Sequence, residues 1–200
     1  MPSASAAPIA IMWFRNDLRL ADNPALNASV KWAQQNNGIV LPVFILDRVI
    51  DAQLGGATRW WLEKTLTRLD ESLATVAGKK APCLRVFRSD ARDVFNQLQT
   101  DHKIGALFWN RLYDKASIAR DADIKSSLRD QNIECESFNG QLLYEPWEVK
   151  TGAGSDFKVF SPFWRACLKL PPPAEPKKAP ESIPLGDLQL SDEADIAGLD

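Results

Sequence analysis

The chain has 200 residues, 45% of them apolar and 25% charged, with a formal net charge of -2. These values suit one globular core of roughly 100–150 residues plus connecting material and argue against a disordered or membrane-embedded chain. The slightly acidic balance offers no basic face for a phosphate backbone, so the chain alone is expected to bind DNA poorly.

Met1 to Ala10 has no basic n-region and no long apolar run, so neither a signal peptide nor a membrane span is expected. Ile9-Ala-Ile-Met-Trp-Phe14 is a short, bulky apolar run and predicts a buried strand. Asn23-Pro24 supplies an N-cap and a first-position proline for a helix from about Pro24 to Gln35. Asn37-Gly38 stops that helix, and Ile39 to Ile45 predicts a second strand, although Pro42 has no N–H for a ladder. Leu62, Leu66, Leu69, Leu73 and Val76 alternate spacings of four and three, the stripe of an amphipathic helix over 58–77 that Gly78 ends. A third strand is expected over 83–88, and a helix over 91–101 behind the Ser89-Asp90 cap. Gly105 to Trp109 predicts a fourth strand, Ala116 to Arg129 a helix, and Ile133 to Phe138 a fifth strand. Cys83, Cys135 and Cys167 are odd in number, widely separated and accompanied by one histidine, His102, at a helix end. A disulfide framework or structural zinc is not expected, and the natural setting is a reducing cytoplasm.

Strands separated by helices predict an α/β fold: a Rossmann-like, doubly wound, five-stranded parallel sheet with helices on both faces. In such sheets ligands bind beyond the carboxyl ends of the strands, where strand order reverses. The domain is expected over 1–140, followed by an irregular aromatic connector over 141–170. A Pro-rich acidic linker over 171–200 holds six prolines before Leu185, and seven acidic residues against two lysines, so it is expected to be extended or disordered.

The usual phosphate cradles, GxGxxG and GxxxxGK[ST], are absent, as are GxSxG and HExxH. Gly152-Ala-Gly154-Ser155 is the single glycine-rich loop that would suit a nucleotide-binding module of the universal-stress-protein type. Arg15, Asp17, Arg19 and Asp22 crowd the end of the first strand and predict a local salt-bridge network. Trp13 and Trp109 lie on strands and are read as core.

Trp13-Phe-Arg-Asn-Asp-Leu-Arg-Leu-Ala-Asp-Asn23 closely resembles the opening signature of the DNA photolyase/cryptochrome family. Gly56-Ala-Thr-Arg-Trp-Trp-Leu62, Phe108-Trp-Asn-Arg-Leu-Tyr113 and Phe157-Lys-Val-Phe-Ser-Pro-Phe-Trp164 resemble later family segments, in family order. Asp114-Lys115 departs from the Glu-Pro of many relatives, which bears on which pigment fits. The resemblance implies a two-domain protein in which this α/β part holds an antenna pigment, methenyltetrahydrofolate or 8-hydroxydeazaflavin. A larger helical domain, outside these 200 residues, would hold FAD and damaged DNA. No catalytic residue is carried over, and the 200 residues alone are expected neither to bind FAD nor to repair DNA. A cryptochrome-type photoreceptor is the alternative. The pigment site implied by the resemblance comprises Leu46, Asp47, Gly55, Arg59, Asn110, Leu112 and Asp114. Trp60 and Trp164 would face the helical domain. No membrane partner is expected.

Overall fold

A computed structural model describes residues 7–47, 51–52, 54–80 and 82–198. Most of the amino-terminal segment read above (residues 1–6) and the last two residues of the tail therefore lie outside the described residues. Five parallel strands, β1 (Ile9–Phe14), β2 (Ile39–Ile45), β3 (Arg85–Phe87), β4 (Ile104–Asn110) and β5 (Glu134–Phe138), form one sheet in the order β3-β2-β1-β4-β5. The chain winds outward from β1 to β3, then returns to the other side of β1 for β4 and β5. Strand order therefore reverses at β1, as the doubly wound reading expects.

Every residue of β1 is buried, because the sheet is covered on both faces. Ala10, Met12 and Phe14 point toward helices α1 (Pro24–Gln35) and α2 (Gly56–Ala77). Ile9, Ile11 and Trp13 point toward α3 (Ala91–Asp101) and α4 (Lys115–Arg129). Trp13 and Trp109 belong to this second core, as expected. The predicted stripe of α2 delivers Leu66, Leu69 and Leu73 to the first core, with Leu62 and Val76 at its margin. Gly78 ends α2 at φ 64°, a left-handed conformation that a Cβ disfavours. The Asn23 side chain caps α1 by accepting from Leu26 N at 3.1 Å.

Two local features differ from the sequence expectation, and a third, the strand through Pro42, bears it out, each for a physical reason. The third strand is shorter than 83–88 because Asp70 Oδ1, buried on α2, accepts from Cys83 N and Leu84 N at 2.6 and 2.7 Å, removing both from a ladder. Pro42 is tolerated within β2 because pairing with β3 begins only at Val43. Its missing N–H shares the outward side of Val40, which donates instead to Pro184 O at 2.8 Å. The connector is not wholly irregular: Phe160–Cys167 forms helix α5, with Pro162 in the first turn, where its missing N–H has no intrahelical partner to lose.

The Pro-rich tail runs extended along the outer side of β2 and β3. Leu185 makes a parallel bridge with Val40, Ile183 is buried, and Ala194 N donates to Val86 O at 2.7 Å. Lys79–Asp187 and Arg85–Glu193 ion pairs fasten it further. It thereby covers one sheet edge. At the opposite edge, β5 exposes Glu134 and Glu136. No helix among the described residues is long and apolar enough to cross a membrane.

Candidate functional site

The loop after β1 leaves the sheet at its switch point, and its charges form the expected network. Arg15 Nη1 pairs with Asp121 Oδ2 at 2.7 Å, and Arg15 Nη2 donates to Asn110 O. Asp17 receives Arg15 N at 2.9 Å and Asn110 Nδ2 at 2.5 Å. Asn110 Nδ2 also donates to Asn23 Oδ1 at 2.8 Å, and its Oδ1 accepts from Ala25 N at 3.3 Å. Asp17, Asn23 and Asn110 are all buried, so these bonds are made in a low-dielectric interior where an unmet polar group is costly.

Beside this network, over the carboxyl ends of β1 and β2, lies a cleft of about 520 Å³. That volume falls within the range of small-molecule sites. Phe44, Ile45 and Leu46 form its floor, Leu54, Thr58, Leu62 and Thr65 one wall, and Leu112 with Arg120 the opposite wall. Trp61, largely exposed, stands at the rim. Trp13 and Arg15 also line it. Its charged lining residues are Arg15, Arg19, Arg120 and Asp47.

Of the seven residues implied by the resemblance, Leu46, Asp47 and Leu112 line this cleft together. The other four do not, and each has a task in the frame. Gly55 is the N-cap of α2. Arg59 is turned to Asp51, with Nη1–Oδ1 at 2.5 Å, and to Leu54 O at 3.3 Å, tying α2 to the preceding loop. The Arg88 hydrogen bond, with help from Arg59, holds the Asp51 carboxyl below its ordinary value. Asn110 is consumed in the buried network. Asp114 caps α4 by accepting from Ser117 N at 2.9 Å, which lowers its carboxyl pKa. Sequence reading missed the lining residues Thr58, Trp61, Leu62 and Thr65. Their i, i+3, i+4 and i+7 spacing on α2 marks them as one face.

A second, wider cleft of about 970 Å³ lies between the β1 loop, residues 139–144 and the Pro-rich stretch 170–177. Arg19 donates to Gly140 O at 2.7 Å and Tyr144 to Pro171 O at 2.9 Å, closing its sides. The Gly152–Ser155 loop is an exposed turn bonded to itself through Thr151 and Ser155. Val159, Phe160, Trp164 and Leu168 of the α5 region are exposed, with the Phe160 and Trp164 rings stacked at 6.4 Å, and Trp60 is half-exposed on α2.

The DNA photolyase family profile matches residues 10–181. Over 181 residues the chain is 38% identical to a deoxyribodipyrimidine photo-lyase of Agrobacterium fabrum, a match covering 90% of this chain and 36% of that protein. It is also 38% identical over 190 residues to cryptochrome-1 of Arabidopsis thaliana, covering 89% and 25% respectively. A crystal structure of a bacterial class III photolyase from Agrobacterium tumefaciens superposes with a TM-score of 0.83 at 35% identity, covering 98% of this chain and 39% of that one. The chain spans between about a quarter and two fifths of the length of these relatives, over their amino-terminal α/β domain.

Proposed function

The chain belongs to the DNA photolyase family, and on that premise we propose that its α/β domain is the light-harvesting part of a photolyase, holding an antenna pigment in the 520 Å³ cleft over β1 and β2. The observation that carries this reading is the position of that cleft. It lies at the switch point of a doubly wound sheet, where such folds bind ligands, and it joins apolar walls to a few polar groups. Such a pigment, when bound, absorbs near-ultraviolet or blue light and passes the excitation on.

Leu46 and Leu112 supply flat apolar contact, while Asp47 offers an acceptor at the end of β2. Arg59, Gly55, Asn110 and Asp114 act on the site through the backbone they hold. Arg59 fixes the loop before α2, and Asn110 joins the ends of β1 and β4. The pigment is a folate such as methenyltetrahydrofolate or a deazaflavin such as 8-hydroxydeazaflavin. FAD chemistry and contact with damaged DNA belong to a helical domain, which docks on the exposed Val159, Phe160, Trp164 and Leu168 around α5 and on the exposed Trp60 of α2. The protein works in the cytoplasm.

Titration of the chain with each pigment, followed by pigment fluorescence, tests the reading. Binding of one of them, blocked by Leu112→Trp, is expected, since the indole would fill the cleft. Binding left intact by Leu112→Trp would move the pigment elsewhere, and absence of binding by both pigments would overturn the reading.

A further inference from the structure

Along the outer edge of the sheet, the side chains of tail residues 183–198 alternate as those of a bound peptide do. Ile183 and Leu185 join the core shared with α1 and α2, Leu188 and Leu190 the core shared with α3 and α4, and Ala194 and Ile196 return to the first. Each pair is spaced by two, the period of an extended chain, and Asp187, Gln189 and Asp195 are exposed. The segment therefore grips the β2–β3 edge from both faces, crossing it at Gly186-Asp187 and again at 191–193.

Both crossings are fitted to the edge. At the first, a Cβ on Gly186 would stand 2.1 Å from Ile39 Cδ1, so glycine lets the chain pass against β2, and Asp187 meets Lys79 at 2.7 Å. At the second, Arg85 bridges two points of the segment, reaching Leu188 O at 3.1 Å and Glu193 Oε2 at 3.2 Å, while Gln97 donates to Ser191 Oγ at 2.7 Å. Backbone bonds from Val40 N to Pro184 O and from Ala194 N to Val86 O run along the edge, and Arg88 Nη1 donates to Gly198 O at 3.1 Å. Backbone pairing with side-chain seats at alternate positions is the mode by which sheet edges take extended peptides from other chains, and Lys79, Arg85 and Arg88 make this edge selective for an acidic one.

We infer that the β2–β3 edge is a peptide-recognition seat for an extended segment of aliphatic pairs separated by acidic residues, with residues 183–198 as its resident ligand, and that it recognises this segment without the covalent link. In the intact chain the tether holds the segment at an effective concentration of roughly millimolar, so the seat is closed to a competitor.

The test uses the full 200-residue chain and a fluorescein-labelled synthetic peptide of residues 179–198. Ile183→Asp combined with Leu190→Asp puts a carboxylate at one anchor on each face, where burial without a partner is costly, and so releases the chain's own segment. With folding checked by circular dichroism, the released chain is expected to bind the peptide at least about tenfold tighter than the wild type does, because no tethered segment competes. A peptide carrying the same two substitutions should not bind. Adding Arg85→Gln to the released chain should weaken binding about fivefold, through its lost contacts with Glu193 and Leu188 O. No binding by the folded released chain, equal binding by the wild type, equal binding of both peptides, or an affinity untouched by Arg85→Gln would overturn the inference. If the released chain does not fold alone, each peptide is supplied during refolding. Native circular dichroism recovered with the wild-type peptide and not with the altered one supports the seat, and recovery with both or with neither overturns it.

Discussion

On the β4 side of β1, the polar side chains at the strand ends are consumed by one another; on the β2 side they leave a cleft. Asn110, Asp17 and Asn23 satisfy each other and the first turn of α1, joining two strands that meet where chain direction around the sheet reverses. Beside that network, Phe44 to Asp47 and Thr58, Leu62 and Thr65 of α2 line the open cleft. An amide or carboxylate at a switch point is therefore not by itself a ligand handle. What marks a handle is a donor or acceptor whose bonding capacity the fold has left over.

Breaking the closed side should have the largest effect. Asn110→Ala removes contacts to Asp17, Asn23 and Ala25 and strands buried polar groups, so unfolding in urea should show a loss of about 3 kcal/mol or more. A loss below about 1 kcal/mol would mean that the network is not what joins β1 to β4. Gly140 belongs to the same frame, because a Cβ there would stand 2.5 Å from Asn110 Cγ.

Beyond β2 the tail closes the outer edge, and Ile183→Ala should cost about 2–3 kcal/mol in the same measurement, as a buried aliphatic truncation does. A neutral outcome would show that the tail lies on the domain without stabilising it.

Asp114→Ala removes the cap of α4 and should cost about 1 kcal/mol near neutral pH. The Ser117 N–H lowers the folded-state pKa of Asp114. A depressed carboxylate stabilises the fold above its ordinary value near ~4 and loses that contribution as pH falls through the lower folded value. The stability gap between wild type and variant should therefore close in acid, and a gap that widens there would rule out the cap. The smallest effect is expected from Arg59→Ala. Its pair with Asp51 is partly exposed and Asp51 keeps Arg88 at 2.7 Å, so the cost should stay within about 1 kcal/mol. Pigment affinity should change less than about threefold, as one lost exposed contact implies. A large loss of pigment affinity would return Arg59 to the wall of the site.

How much was legible depended on whether the deciding interactions were local. The apolar run Ile9–Phe14, the leucine stripe of α2, the Asn23-Pro24 cap and Gly78 each state their structure within a few residues, and the elements formed close to the expected bounds. Strand β3 was cut short by Asp70, more than a dozen residues away on α2, which no window around Cys83 contains. The α5 helix was hidden by Pro162, whose effect depends on its place within a turn.

The same division holds for the candidate site. Sequence alone determined the alternation of strand and helix, the doubly wound order and hence the end of the sheet where a ligand belongs, because periodicity and chirality act on neighbouring residues. The family resemblance singled out Leu46, Asp47 and Leu112, which the structure brings to one cleft. Only the tertiary structure decided that Asn110 is bonded to Asp17 and Asn23, Arg59 to Asp51 and Asp114 to Ser117, while Thr58, Leu62 and Thr65 line the cleft. Whether a polar group is satisfied depends on partners brought from distant strands and helices, as Asp121 is brought to Arg15 across 106 residues, and spacing along the chain carries no record of that.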